Sequence, residues 1–133
     1  MTVADPVKFI VNPSNFPDVD AIRERTLHEL IARLRELEGD NLIRLVLYGS
    51  VARGDAREDS DTDVFILLRN ENITNDERIC DLTSDISMWT GECRTYLAPN
   101  IYDLKTYNEN SQFGGFFTNL EKDGVILYDS AGY

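Results

Sequence analysis

The chain has 133 residues, of which 42% are hydrophobic and 28% charged, and its formal net charge is −11. This length predicts one domain, residues 1–133, that buries a core without disulfides or a structural metal. The acidic balance argues against duplex nucleic acid as a partner, and the lack of a ~20-residue apolar run or secretory signal predicts a cytoplasmic protein that does not cross a membrane.

The N-terminal part of the chain predicts an arm followed by an amphipathic helix. Residues 1–17 contain three of the four prolines and predict an extended arm, or at most an edge strand. Apolar residues spaced by threes and fours predict a helix that begins near Pro17 and stops at Gly39. The only histidine, His28, falls off the apolar stripe and is interpreted as a solvated helix residue.

Two apolar runs in the middle of the chain predict the central strands. Leu42–Tyr48 is apolar on both alternations apart from one arginine, which is typical of an interior strand. Thr62–Leu68 places its better-packed apolar residues on one face, and the alternation turns Asp63, with Asp61 aligned ahead of it, to the other face. Both carboxylates are therefore expected in an open side or cleft.

The next segments predict a second helix and a third strand. Thr74 and Glu77 match a capping box, which predicts a helix from there to about Gly91, with Trp89 in the core. Arg94–Tyr102 predicts a strand at the edge of the sheet, because it contains a proline. Cysteines 80 and 93 have no metal-site spacing and are expected to be free thiols.

The C-terminal segment predicts a last helix that completes the core. Its apolar positions run from Phe113 to Leu120, Gly124 closes it, and residues 125–128 pack the end of the chain. The predicted order is helix, strand, strand, helix, strand, helix. This order predicts a mixed α/β domain, a short mixed sheet with helices mainly on one face.

The stretch between the two central strands has the composition of a phosphate site. Gly49 allows the backbone to approach a phosphate, and Ser50 supplies a hydroxyl at the start of a predicted short helix. Arg53 is a candidate for a charge-assisted contact to the phosphates. An alternative remains for this arginine, which is an ion pair with Asp55, Glu58 or Asp59.

Asp61 and Asp63 are candidate metal ligands. Two positions apart on an extended strand, their Cβ atoms are about 6.6 Å apart and face the same way. Such a pair can bind one or two Mg²⁺ ions and leave coordination positions for phosphates. The spacing excludes an EF-hand, which needs glycine where Val64 stands, and no Walker A sequence is present.

The stretch from Gly49 to Asp63 resembles the GS…RG…SDxD signature of the minimal nucleotidyltransferase family, in the DNA polymerase β-like superfamily. The resemblance implies a nucleotidyltransferase-like fold in which Gly49 and Ser50 bind the triphosphate and Asp61 and Asp63 bind Mg²⁺. It further implies transfer of AMP from ATP to a protein hydroxyl. Family members often act as antitoxins paired with a HEPN-type ribonuclease toxin, so such a toxin is the expected protein partner.

The family usually carries a third carboxylate on the following strand, and this strand contains no acid in its interior. Glu92 lies before it and Asp103 after it, and Asp103 is the preferred candidate for a third catalytic carboxylate. If neither reaches the site, the alternative is a weak or inactive relative that works as a protein-binding antitoxin.

Overall fold

The computed structural model describes residues 7–110 and 115–130. In chain order its elements are α1 (Pro17–Glu38), a 3₁₀ turn (Gly39–Asn41), β1 (Leu42–Tyr48), α2 (Gly49–Arg53), β2 (Thr62–Leu68), α3 (Ile73–Trp89), β3 (Leu97–Asp103), α4 (Leu104–Asn110), α5 (Phe116–Asp123) and β4 (Val125–Asp129). None of the helices in the described ranges is long and apolar enough to span a membrane.

The four strands form one mixed sheet in the order β3-β2-β1-β4. β1 pairs antiparallel with both β2 and β4, whereas β3 lies parallel to β2. The interior position of β1 is therefore confirmed, as is the edge position of β3. An edge strand tolerates a proline such as Pro99, because one side of the strand has no ladder partner. The predicted bounds of β1 and β2 are also confirmed.

The sheet separates two apolar clusters. The long helices α1 and α3 cover one face, and Val64, Ile66 and Leu68 of β2 point into that core. Phe65 and Leu67 point to the other face, where they pack against residues of α4 and α5. The aromatic rings on that side lie 5.3–6.4 Å apart between centroids. The predicted mixed α/β class with a short mixed sheet is confirmed. Of the helices expected mainly on one face, the two long ones lie there and the shorter α4 and α5 lie on the other.

The start of α3 and the burial of its last residue differ from the expectation. Asn72, not Thr74, caps α3, because its side chain accepts from the Asn75 backbone N–H while the Asn75 side chain accepts from the Asn72 N–H. Trp89 is 72% exposed, so its predicted place in the core was wrong. Ser87 is buried near this end of α3, where its hydroxyl donates to a carbonyl of the same helix and accepts the Leu97 N–H.

The C-terminal half contains two elements that periodicity did not reveal, α4 and β4. Residues 125–129 form a strand of five residues that pairs with β1, too short to show a clear alternation of its own. Phe113, expected in the last helix, lies outside the described residues.

Both cysteines are free thiols, as predicted, and both are exposed. His28 is half-buried with its ring centroid 4.9 Å from that of Phe9, which corrects its assignment as a solvated residue.

One prediction concerns Glu71, at the end of the sheet where β2 finishes. Burial, with Asp76 and Asp103 nearby, raises the pKa of Glu71 from its ordinary 4.5 to about 7. A raised carboxyl pKa contributes stability that is fully present below pH 4.5 and is lost as the pH rises through 7. At pH 8, Glu71→Gln should therefore have a free energy of unfolding about 1 kcal/mol higher than the parent, after allowance for solvent screening. Urea titration measures this difference.

The same comparison at pH 4.5 should show almost no difference between the two proteins. Glu77→Gln, an exposed change of the same type on the first turns of α3, is the control. Parallel stability curves for Glu71→Gln and the parent from pH 4.5 to 8 would contradict the assignment.

Candidate functional site

The two predicted metal ligands lie at the beginning of β2. Asp63 stands opposite Tyr48 of β1 and beside Ala98 of β3, and Asp61 lies two residues earlier, exposed, at the end of a loop. Burial raises the pKa of Asp63, the nearby charge of Asp61 raises it further, and Arg53 opposes both. Within the described ranges, neither carboxylate accepts a hydrogen bond from a protein group or forms an ion pair. Two adjacent carboxylates without protein partners fit the ligand set of a divalent cation.

Gly49 places the backbone close to the Asp63 carboxylate. Its φ is 77°, and a Cβ at this position would collide with the Asp63 carboxylate. Ser50 follows in the first turn of α2, half-buried, and its hydroxyl has no hydrogen-bond partner among the described residues. The structure therefore brings Gly49 against Asp63, with Ser50 as the next residue along the chain.

Arg53 ends α2 and carries its charge to the edge of the site. Its Nε lies 3.3 Å from Asp55 Oδ2, so the ion pair considered as an alternative is present. Both side chains are about half-exposed, 48% and 64%, and an exposed pair of this kind is worth little. Breaking this ion pair therefore costs little free energy, and Arg53 can bind a more strongly charged anion in place of Asp55.

The N-terminal arm supports α2 from outside. The Asn12 amide donates to the carbonyl of Ala52 at 2.9 Å. Gly54, at the end of α2, has a φ of 88° and leaves no room for a Cβ against the Asn12 backbone. The arm itself is anchored on α1, where the Glu24 carboxylate accepts the N–H groups of Phe9 and Ile10. A segment with no regular structure thus fixes the helix that follows β1.

Asp103 does not join the site, which corrects the preferred assignment of the third carboxylate. In the β2–β3 ladder it stands beside Leu68, whereas Asp63 stands beside Ala98. Five residues of extended chain separate the two rows, about 16 Å. The Asp103 carboxylate instead accepts the Thr106 N–H at 2.8 Å, and its hydrogen bonds to Thr106, hydroxyl and backbone, lower the pKa of Asp103.

Glu92, the other candidate, is directed elsewhere as well. Its carboxylate lies 3.1 Å from the guanidinium of Arg25 on α1, and both side chains are more than half exposed. Among the described residues, no group of three or more His, Cys, Asp or Glu side chains is arranged to hold a metal ion. The site in the described ranges thus contains two carboxylates.

Two neutral residues that sequence reasoning missed stand beside the carboxylates. Asn100 of β3 lies on the same face as Asp63, and its amide donates to the Tyr48 hydroxyl at 3.4 Å. Burial raises the pKa of Tyr48, and the charge of Asp63 adds to this effect. Asn100 could have been found only from the parallel register of β3, which its sequence does not reveal.

The chain matches the polymerase beta nucleotidyltransferase domain over residues 29–132. No curated protein is similar enough in sequence to this chain to count as a match.

Solved structures with a related fold are distant in sequence. A candidate nucleotidyltransferase from Sulfolobus solfataricus is 20% identical, with a TM-score of 0.46, and the alignment covers 84% of this chain and 85% of that one. A toxin–antitoxin structure with AMP-PNP is 17% identical, with a TM-score of 0.47 and coverage of 76% and 72%. A mutant of the toxin–antitoxin MntA-HpeT is 15% identical, with a TM-score of 0.46 and coverage of 75% and 71%.

A second prediction tests the contact between Gly49 and Asp63. Gly49→Ala should lower the free energy of unfolding by about 1–3 kcal/mol, because the methyl group both meets the Asp63 carboxylate and requires a positive φ. Gly39→Ala is the matched control, since Gly39 also has a positive φ, 53°, but a Cβ there meets nothing within 4 Å. Urea titration measures both, and equal losses would show that the clash contributes nothing.

Proposed function

The chain belongs to the polymerase beta nucleotidyltransferase family, and we propose that it is a Mg²⁺-dependent enzyme that transfers AMP from ATP to a hydroxyl of another protein. The observation that carries the proposal is the pair Asp61 and Asp63, adjacent, unpartnered in the described ranges, and next to the Gly49–Ser50 turn. Structural packing alone gives no reason to place two like charges together in this way.

Each residue of the site has a role in the proposed reaction. Asp61 and Asp63 would hold one or two Mg²⁺ ions, which neutralise the charge of the triphosphate and of the departing pyrophosphate. Gly49 and Ser50 would accommodate the phosphate chain, Gly49 by close backbone approach and Ser50 by its free hydroxyl. Arg53 would leave Asp55 for a phosphate oxygen, because the phosphate offers the stronger charge-assisted contact.

The acceptor hydroxyl attacks the α-phosphorus, a new P–O bond forms, and the bond to pyrophosphate breaks. The proton of the hydroxyl must leave as this happens. Asn100 and Tyr48 border the carboxylates and are neutral at pH 7, so neither serves as a base. We therefore assign the proton to water or to a group supplied by the acceptor protein.

The proposed partner is a HEPN-type ribonuclease toxin, which the protein would neutralise as its antitoxin. This step follows the resemblance of the Gly49–Asp63 stretch to antitoxins of the minimal nucleotidyltransferase family. The net charge of −11 suits a partner with a basic, RNA-binding surface. The proposed setting is the cytoplasm, where ATP and such a toxin occur together.

A second candidate function is neutralisation by binding alone. The observation that favours it is the absence, within residues 7–110 and 115–130, of a third carboxylate beside Asp61 and Asp63. In that case the acidic surface would mask the partner, and the site would be a weak or inactive remnant.

A third prediction tests catalysis. The purified protein, ATP labelled on the α-phosphate, Mg²⁺ and the protein encoded by the neighbouring gene should yield a labelled acceptor. Asp61→Asn/Asp63→Asn should reduce the label about 10³-fold or more, because transition-state charge is no longer neutralised. Asp59→Asn is the matched control, since it removes the same charge two residues before Asp61. No labelling with any nucleoside triphosphate would refute the transferase proposal.

The same double variant separates the two functions. If neutralisation of the toxin requires transfer, the variant should bind the toxin and leave its ribonuclease activity intact. Full neutralisation by a variant that transfers no label would instead establish masking as the mechanism. A pull-down and a ribonuclease assay on the same samples give both readouts.

A further inference from the structure

A buried arginine on α1 holds the loop that leads into the metal-site carboxylates. Arg23 has an exposed fraction of 0%, although arginine is a residue type that is mostly exposed, because its position four residues after Val19 and four before Leu27 lies on the buried face of the helix. Its Nη2 donates to the backbone carbonyls of Arg57 at 2.7 Å, Ser60 at 3.1 Å and Glu58 at 3.4 Å. Its Nη1 lies 3.3 Å from Asp20 Oδ1 of the same helix.

The loop that Arg23 holds, residues 57–60, is closed on itself. The Arg57 N–H donates to Ser60 Oγ at 2.8 Å, and the Ser60 N–H donates to the Arg57 carbonyl at 3.2 Å. Ser60 directly precedes Asp61, so the carbonyl bound by Arg23 belongs to the peptide that carries Asp61. The other charged contact of the loop is weak, since the Arg94 guanidinium is 4.0 Å from Glu58.

Asp61 and Asp63 are fixed by different means. Asp63 belongs to β2 and is held by ladders on both sides. Asp61 lies just before the strand and is exposed. The peptide that follows it is held at the sheet, where the Thr62 N–H donates to the Tyr96 carbonyl at 2.8 Å, and the peptide that precedes it is held by Arg23. On the side that precedes Asp61, three hydrogen bonds from Arg23 to backbone carbonyls tie the turn to α1.

Stability alone gives a poor reason for the charge of Arg23. Burying a guanidinium is costly, and here one nitrogen, Nε, has no hydrogen-bond partner among the described residues. An apolar side chain of similar size at position 23 would fill the space between α1 and the loop without this cost. The guanidinium, however, holds the Asp20 carboxylate with one nitrogen and the loop carbonyls with another in a rigid planar geometry, which no apolar residue provides and a flexible lysine ammonium does not fix in the same way.

We infer that Arg23 is a positioning residue that holds Asp61 at the distance from Asp63 that a divalent cation requires. The inference rests on the proposed function, in that Asp61 and Asp63 bind the cation. Arg23 acts through the peptide of Ser60 and touches neither the cation nor the nucleotide. Its loss should therefore weaken binding of the cation more than it changes the folded core around it.

The experiment measures Mn²⁺ binding by electron paramagnetic resonance, at a temperature where each variant is shown to be folded by circular dichroism. Arg23→Lys keeps the charge but not the planar guanidinium, and it should weaken Mn²⁺ binding about tenfold or more. Leu34→Ala, a fully buried position farther along α1, is the control for destabilisation and should leave Mn²⁺ affinity unchanged. Ser60→Ala opens the loop without touching the core, and a loss of about threefold is expected.

Unchanged Mn²⁺ affinity in both Arg23→Lys and Ser60→Ala, while the parent binds, would overturn the inference and leave the proposed function intact. An equal loss of affinity in Leu34→Ala would also overturn it, because the effect would then be general destabilisation. If the parent binds Mn²⁺ no better than Asp61→Asn/Asp63→Asn, the metal site of the proposed function is itself wrong, and the inference falls with it.

Discussion

The antiparallel pairing of β1 with β2 is the constraint on which the site depends. Its register places Tyr48, the last residue of β1, opposite Asp63 near the start of β2. The next residue, Gly49, is therefore brought against the Asp63 carboxylate, with no space between them for a side chain. A shift of one residue would turn Asp63 into the core formed with α1 and α3, where a carboxylate has no partner. The Gly49–Ser50 turn and the Asp63 carboxylate are thus brought together by the ladder between β1 and β2.

The parts of the site that the ladder does not reach are fixed by contacts from the N-terminal region. Asn12 of the arm donates to the last turn of α2, and Arg23 of α1 binds the carbonyls of the loop that precedes Asp61. These contacts have sequence separations of 34 to 40 residues. The arm and α1 therefore do more than cover the sheet, since they set the two flanks of the carboxylate pair.

The sequence was sufficient for the features that depend on local pattern and insufficient for those that depend on register. Strand alternation correctly separated Asp63 from Val64, and the Gly49–Ser50 turn was found from composition alone. Asp103 was misplaced because the parallel pairing of β3 decides which end of that strand meets Asp63, and no local signal contains this information. Arg23 was missed for a different reason: its spacing from Val19 and Leu27 puts it on the buried face, but a charged residue type suggests solvent, and its partners are carbonyls distant in sequence.

The side of the site formed by β3 is uncharged. Asn100 occupies the face of β3 that adjoins the carboxylates, and its amide binds the Tyr48 hydroxyl, so that side contributes dipoles and no charge. A carboxylate there would repel Asp63, whose pKa is raised by burial and by Asp61. The described part of the site thus combines two carboxylates with an uncharged side on β3.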